Sequence, residues 1–229
     1  MLLSLRRGAA AGEIIFVMET MLSDIETRVL GSLIEKQVTT PEYYPLTLNA
    51  LTLACNQKNN RNPVTSYSEN QVADALESLR EKNLAYVFYG STSRVPKYKH
   101  VVPEVMHLSH PELALMCVLM LRGAQTLGEL RGNGGRLHEF SSLEEVEETL
   151  NKLITRDPDP LVARLPRQPG QKDGRFAHLL SGEIDLQAIE QAPVSPATRR
   201  TSLEEKVEAL TAEVEKLKEQ FEQFRKQFE

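Results

Sequence analysis

The sequence predicts a mainly α protein with small β-hairpins, an α+β class, built as two similar halves followed by a C-terminal heptad helix. Three observations predict it. A motif order occurs twice between Leu22 and Gly182, strand-like runs close each copy, and an apolar stripe of heptad spacing fills residues 201–229.

The first element of each copy is an amphipathic helix. LSDIETRVLGSLIEK begins at Leu22 and LSHPELALMCVLMLR at Leu108. Both open on Ser-x-x-Glu, Ser23 with Glu26 and Ser109 with Glu112, the capping box in which hydroxyl and carboxylate satisfy orphan amides reciprocally. Val29, Leu30, Leu33 and Ile34 in one, and Leu115, Met116, Leu119 and Met120 in the other, recur at helical spacing. A short second helix follows, TLNAL from Thr47 and TLGEL from Thr126. The third is capped and longer, SENQVADALESL from Ser68 and SLEEVEETLNKL from Ser142, with Val72, Ala75, Leu76 and Leu79 expected to face the first core. Strand-like AYVFYG and LVARLPR, turn residues STSR and PGQKDG, and return strands VPKYKH and RFAHLL complete the copies. Tyr98-x-His100 and Phe176-x-His178 end them alike.

Helix, short helix, capped helix and hairpin is the order of a winged helix. The reading is therefore two tandem winged-helix domains, 22–104 and 105–182. Residues 1–21 read as a disordered extension, or as translation assigned from too early a start; Glu13 interrupts the apolar run after Arg6 and Arg7 that would otherwise suggest export. QAPVSPATRR marks a linker over 183–200. In the tail, Val207 and Val214 take a positions and Leu203, Leu210 and Leu217 take d, with Phe221 continuing the stripe. That pattern favours a parallel homodimer, with packing of the stripe on the chain's own surface as the alternative.

Composition excludes little. The formal net charge is −5, which does not advertise a nucleic-acid binder. Eleven acids against seven bases in 183–229 account for most of it, while 22–104 balances at nine and nine. Cys55 and Cys117 sit among apolar helical neighbours, as reduced cytoplasmic thiols do. No apolar run approaches a membrane span.

The densest polar stretch is LTLACNQKNNRNPV, residues 51–64. Amides and cations meet phosphates and base edges, and they also make solvated loops. On the first reading Lys58, Asn59 and Arg61, with Arg94, Lys97 and Lys99 of the wing, grip phosphates. Ser68 touches the backbone, and Asn70 and Gln71 reach base edges from the third helix. Five such cations imply a salt slope near about −4.5. Asp74 and Glu77 oppose a polyanion.

The second copy argues for protein instead of DNA. Its third helix carries Glu144, Glu145, Glu147 and Glu148, so Glu144 and Glu147 are placed at a protein interface. Its wing is basic, with Arg164, Arg167, Lys172 and Arg175. Enzyme signatures are missing: there is no P-loop, Gly-x-Ser-x-Gly or His-Glu-x-x-His. Gly132, Gly134 and Gly135 read as a flexible turn after the second helix. His107 and His110, with His100 nearby, lack further ligands at site spacing, so neither a metal nor a cofactor is expected.

The run from Leu22 to Val64, with LMLRGAQTLGELR and LPRQPGQKDGRFAHLLSG, resembles the YceH-like family of uncharacterised bacterial proteins over roughly Leu22 to Gly182. The resemblance implies a tandem winged-helix fold with a short heptad tail, and it carries over no catalytic or ligand-binding residue. The expected function is a non-enzymatic DNA-associated regulator contacting duplex DNA through the first domain. The alternative is a protein-interaction scaffold resembling, at fold level, the tandem winged-helix subunits of chromosome-condensing complexes.

Overall fold

Capping starts nearly every helix in the computed structural model, which describes residues 21–89, 95–167 and 173–182. The backbone N–H of Ser23 donates to Glu26 Oε2 at 2.7 Å and opens α1, Asp24–Thr39. Ser109 N donates to Glu112 Oε2 at 2.8 Å and opens α5, His110–Arg122. Thr47 caps α2, Leu48–Cys55, and Thr126 caps α6, Leu127–Gly134. Ser68 caps α3, Glu69–Glu81, and Ser142 caps α7, Leu143–Ile154. Each hydroxyl relieves one of the four amides that a helix start leaves unpaired.

Each half closes with a hairpin. Strand β2, Ala85–Phe88, runs antiparallel to β3, Lys97–His100, with Tyr86 opposite Lys99 and Phe88 opposite Lys97. Strand β4, Val162–Arg164, pairs with β5, Phe176–His178. Two features escaped the sequence. A two-residue strand β1, Leu46–Thr47, joins β3 on its free edge, giving the sheet order β1-β3-β2. The second half repeats it in miniature, where Gln125 and Phe176 exchange backbone bonds at 3.0 and 2.7 Å. The connection between halves is also more ordered than expected. It forms a short α4, Val102–Met106, stopped by His107 in the left-handed region at φ 49°.

All the apolar positions predicted for α1, α3 and α5 are buried, and they join one continuous core with those of α7. Its centre is the crossing of α1 and α5, where Leu30, Leu33, Leu115 and Leu119 are fully enclosed. Burying each such leucine stabilises the fold by about 1.5–3 kcal/mol. The helices approach closely because Gly31 has no side chain: a Cβ there would lie 3.0 Å from Leu121 Cδ2 and 3.3 Å from Met120 Cβ. The chain ends of the two halves meet as well. Leu22 N donates to Leu180 O at 2.7 Å, and the Thr27 and Ser181 hydroxyls lie 3.1 Å apart.

Gly132 and Gly134 belong to the last turns of α6 rather than to a turn after it. Leu130 beside them is sealed in the core and carries the helix further than its glycine content suggests. Among the described residues no helix is long and apolar enough to cross a membrane. The extension 1–20, Arg94, Lys172, the linker 183–200 and the heptad positions Val207, Leu210, Val214, Leu217 and Phe221 lie outside the described residues.

Candidate functional site

The amides and cations of residues 56–62 turn mostly inward. A helix end leaves its last carbonyls without amide partners, and two helices end against this loop. At the end of α2, Arg61 Nη2 donates to Ala54 O at 2.9 Å and Arg28 Nη1 to Cys55 O at 3.1 Å. At the end of α5, Asn62 N donates to Leu121 O at 2.9 Å and Asn62 Nδ2 to Arg122 O at 3.2 Å. Arg122 returns a bond to the Asn60 side chain, and Asn60 holds a positive φ of 61° that asparagine tolerates well. Asn56 grips Tyr67 at both its backbone N–H and C=O, at 2.8 and 2.7 Å. The polar stretch therefore replaces water at two helix C-termini and ties the first half to the second.

Arg61 is the centre of this arrangement, and its assignment to phosphate is corrected by its burial. Its side chain is 0% exposed and bonds Glu35 twice, Nη2 to Oε2 at 2.6 Å and Nη1 to Oε1 at 3.2 Å. The Glu35 carboxyl, although burial alone would raise its pKa, is held below the usual carboxylate range by Arg61, with Lys36 and Arg136 assisting. A guanidinium so engaged has no donor left for a polyanion. Gln57 accepts from both Arg61 and Lys36, at 3.3 and 3.4 Å. Only Lys58 and Asn59 of this loop stand in solvent.

On α3, Ser68 and Gln71 are exposed but satisfy each other. Ser68 N donates to Gln71 Oε1 at 3.0 Å, and Gln71 N to Ser68 Oγ at 3.3 Å. Their assignment to phosphate and base contacts therefore competes with the helix cap. Asn70 remains uncommitted on a face it shares with Glu69, Asp74, Glu77 and Glu81, and the Arg80 guanidinium there is paired with Glu77. On α7, Glu144, Glu147 and Glu148 face solvent. Glu145 does not, since its Oε2 accepts from Ser141 N at 2.7 Å and its Oε1 faces His138.

The first hairpin presents a different chemistry. Lys97 and Lys99 share one of its faces with Tyr86 and Phe88, because side chains two apart on a strand point the same way. Lys99 Nζ stands 4.6 Å above the Tyr86 ring. Tyr89 beside them is 71% exposed. In the second hairpin Arg175 is spent internally, donating to Ala124 O at 2.8 Å and pairing with Glu129 at 3.3 Å.

The three histidines grouped by sequence are not brought together. His100 is buried at the end of β3, accepting from Val102 N at Nδ1 with its Nε2 unpartnered. His107 is exposed on the connection, and His110 turns instead towards His138. No sequence motif marks His138, because its partners arrive from α5 and α7.

A family model described as a protein of unknown function, DUF480, matches residues 22–171. The UPF0502 protein of Opitutus terrae is 53% identical over 191 residues, 83% of each chain. UPF0502 protein GSU0233 of Geobacter sulfurreducens is 52% identical over 198 residues, 86% of this chain and 90% of its own. UPF0502 protein VS_II0353 of Vibrio atlanticus is 48% identical over 200 residues, 86% and 91%.

Proposed function

Since the chain belongs to the DUF480 family, described as of unknown function, its role rests on its surfaces, and we propose a non-enzymatic interaction protein of two winged helices that binds polypeptide through the acidic faces of α3 and α7. Three helices backed by a β1-β3-β2 sheet, and the same order in the second half, support the winged-helix reading. The observation that carries the function is charge placement. Both third helices turn acids outward, while one of the two loop cations, Arg61, is sealed in an ion pair with Glu35. Carboxylates on a would-be recognition helix repel the major groove and attract a basic peptide segment. Buried, unpaired Cys55 and Cys117 support a reducing, cytoplasmic setting. The heptads of 201–229 would pair two such chains.

The test is charge reversal. Tagged full chain and the Glu144→Lys/Glu147→Lys variant are purified from cells, and co-purifying proteins are quantified by mass spectrometry. A specific partner lost from the variant supports the reading; an undiminished partner removes α7 from the interface.

A second reading, duplex DNA held through the first half, is favoured by the Lys97, Lys99, Tyr86 and Phe88 stripe together with exposed Lys58 and Asn59. A cationic hairpin can follow a phosphate backbone without base readout. Anisotropy of labelled duplex across a salt series separates the two. Binding that weakens with salt and is lost on Lys97→Glu/Lys99→Glu favours DNA, and no binding at low salt leaves polypeptide.

A further inference from the structure

We propose that His110 and His138 form a site for a divalent transition-metal cation of the Zn2+ type, with Glu145 orienting one ligand from behind. His110 opens α5, His138 lies in the connection between α6 and α7, and Glu145 sits in the first turn of α7. The two Nδ1 atoms face each other at 3.4 Å.

The tautomer of His138 follows from its neighbours. Glu145 Oε2 is pinned by the Ser141 backbone N–H and hydroxyl, both at 2.7 Å, which leaves Oε1 3.3 Å from His138 Nε2. A carboxylate there assigns the proton to Nε2. The Nδ1 lone pair is then free and aimed at His110. The Phe140 ring, edge-on with centroids 4.6 Å apart, holds the imidazole in that orientation. A carboxylate behind an imidazole ligand is the usual support of a bound transition metal.

The 3.4 Å between the two Nδ1 atoms is within hydrogen-bond reach and also suits a shared cation. Two metal–nitrogen bonds of about 2.0–2.1 Å opened to the tetrahedral angle place their nitrogens about 3.3–3.4 Å apart, as found here. A square-planar ion such as Cu2+ wants them nearer about 2.9 Å. Two helix N-termini face the site and disfavour a cation, and the Glu112 and Glu145 carboxylates offset them. Among the described residues no third His, Cys, Asp or Glu completes a cluster. Two protein nitrogens leave the remaining positions to water or to donors of a bound molecule, one protein ligand fewer than a catalytic zinc site has.

The test is calorimetric titration of the metal-stripped full chain with ZnCl2, read alongside the histidine ring nitrogens by NMR. One equivalent should bind with micromolar affinity and shift Nδ1 of both His110 and His138. His110→Gln and His138→Gln should each abolish this site, and His107→Gln should leave it intact. Glu145→Gln should weaken it by about 10–100-fold. The proposal is overturned if no zinc binds or if His138→Gln binds as well as wild type. NMR of the unmodified chain placing the His138 proton on Nδ1 overturns it equally, whatever the variants do to folding. Wild-type affinity in Glu145→Gln would remove the orienting role.

Discussion

Replacing Arg61 with methionine would unfold the protein more readily without touching any exposed surface. The substitution leaves Glu35, 5% exposed, as a buried carboxylate and strips Ala54 O of the guanidinium that serves it. Breaking one side of a buried ion pair costs about 3–5 kcal/mol. The lower end applies here, because Lys36 Nζ and Arg136 Nη2 both remain 3.6 Å from Glu35. About 3 kcal/mol corresponds to a fall in Tm of about 6–12 °C for a unit of this size. Urea unfolding of the full chain, followed by circular dichroism, measures it. The double variant Glu35→Leu/Arg61→Met should recover much of the loss, since an apolar pair needs no compensation. Were Arg61 a phosphate ligand, Arg61→Met would fold normally and bind DNA less well. A loss of stability below about 0.5 kcal/mol would refute the structural role argued for this residue.

Acid should destabilise the fold in a defined window. Burial holds His100 and His178 down to about 4, helped by Lys99 at the first and opposed by Asp24 at the second. Unfolded histidine titrates near about 6.5, so their contribution is complete above that pH and declines towards 4, by at most about 1.4 kcal/mol per pH unit each. Glu26, held down to about 2 by Lys82 and its cap despite its burial, keeps its full contribution above about pH 5 and loses it progressively as the pH falls from there towards 2. Urea midpoints that are flat between pH 7 and 5, or a slope unchanged in His100→Gln/His178→Gln, would contradict this. Gly31→Val should cost about 1–3 kcal/mol by forcing α1 from α5, read as a lower urea midpoint; a stabilised variant would show that the helices can part. If duplex DNA binds, removing Arg61 from the rim leaves four expected cations and a salt slope no steeper than about −3.6, and a steeper slope would mean an unrecognised basic surface. Deleting 201–229 should halve the mass seen by light scattering, and an unchanged mass would place the pairing elsewhere.

Much of the fold was legible because local signals agreed with one another. Ser-x-x-Glu and Ser-x-x-Gln marked helix starts to the residue, and the period of the leucines picked the buried faces. What sequence could not give was tertiary. Strand β1 is two residues long and exists only because β3 offers it an edge. Arg61 and Lys58 look alike in a polar loop, yet one lies against Glu35 and the other in water, a difference set by a helix 26 positions earlier. His138 belongs to a cluster assembled from three separate segments, so no spacing announces it. Composition reports which groups a loop contains, and the unpaired carbonyls it abuts decide where they point.

The bond from Asn62 to the end of α5 spans 60 positions of chain, and this sets an order of events during synthesis. At about 5–20 residues per second the loop leaves the ribosome about 3–12 s before its partner helix is complete. In that interval Arg61 can already find Glu35, but the face of α1 around Gly31 and Leu30 has nothing to cover it. The nascent first half therefore waits with this apolar surface uncovered until α5 arrives.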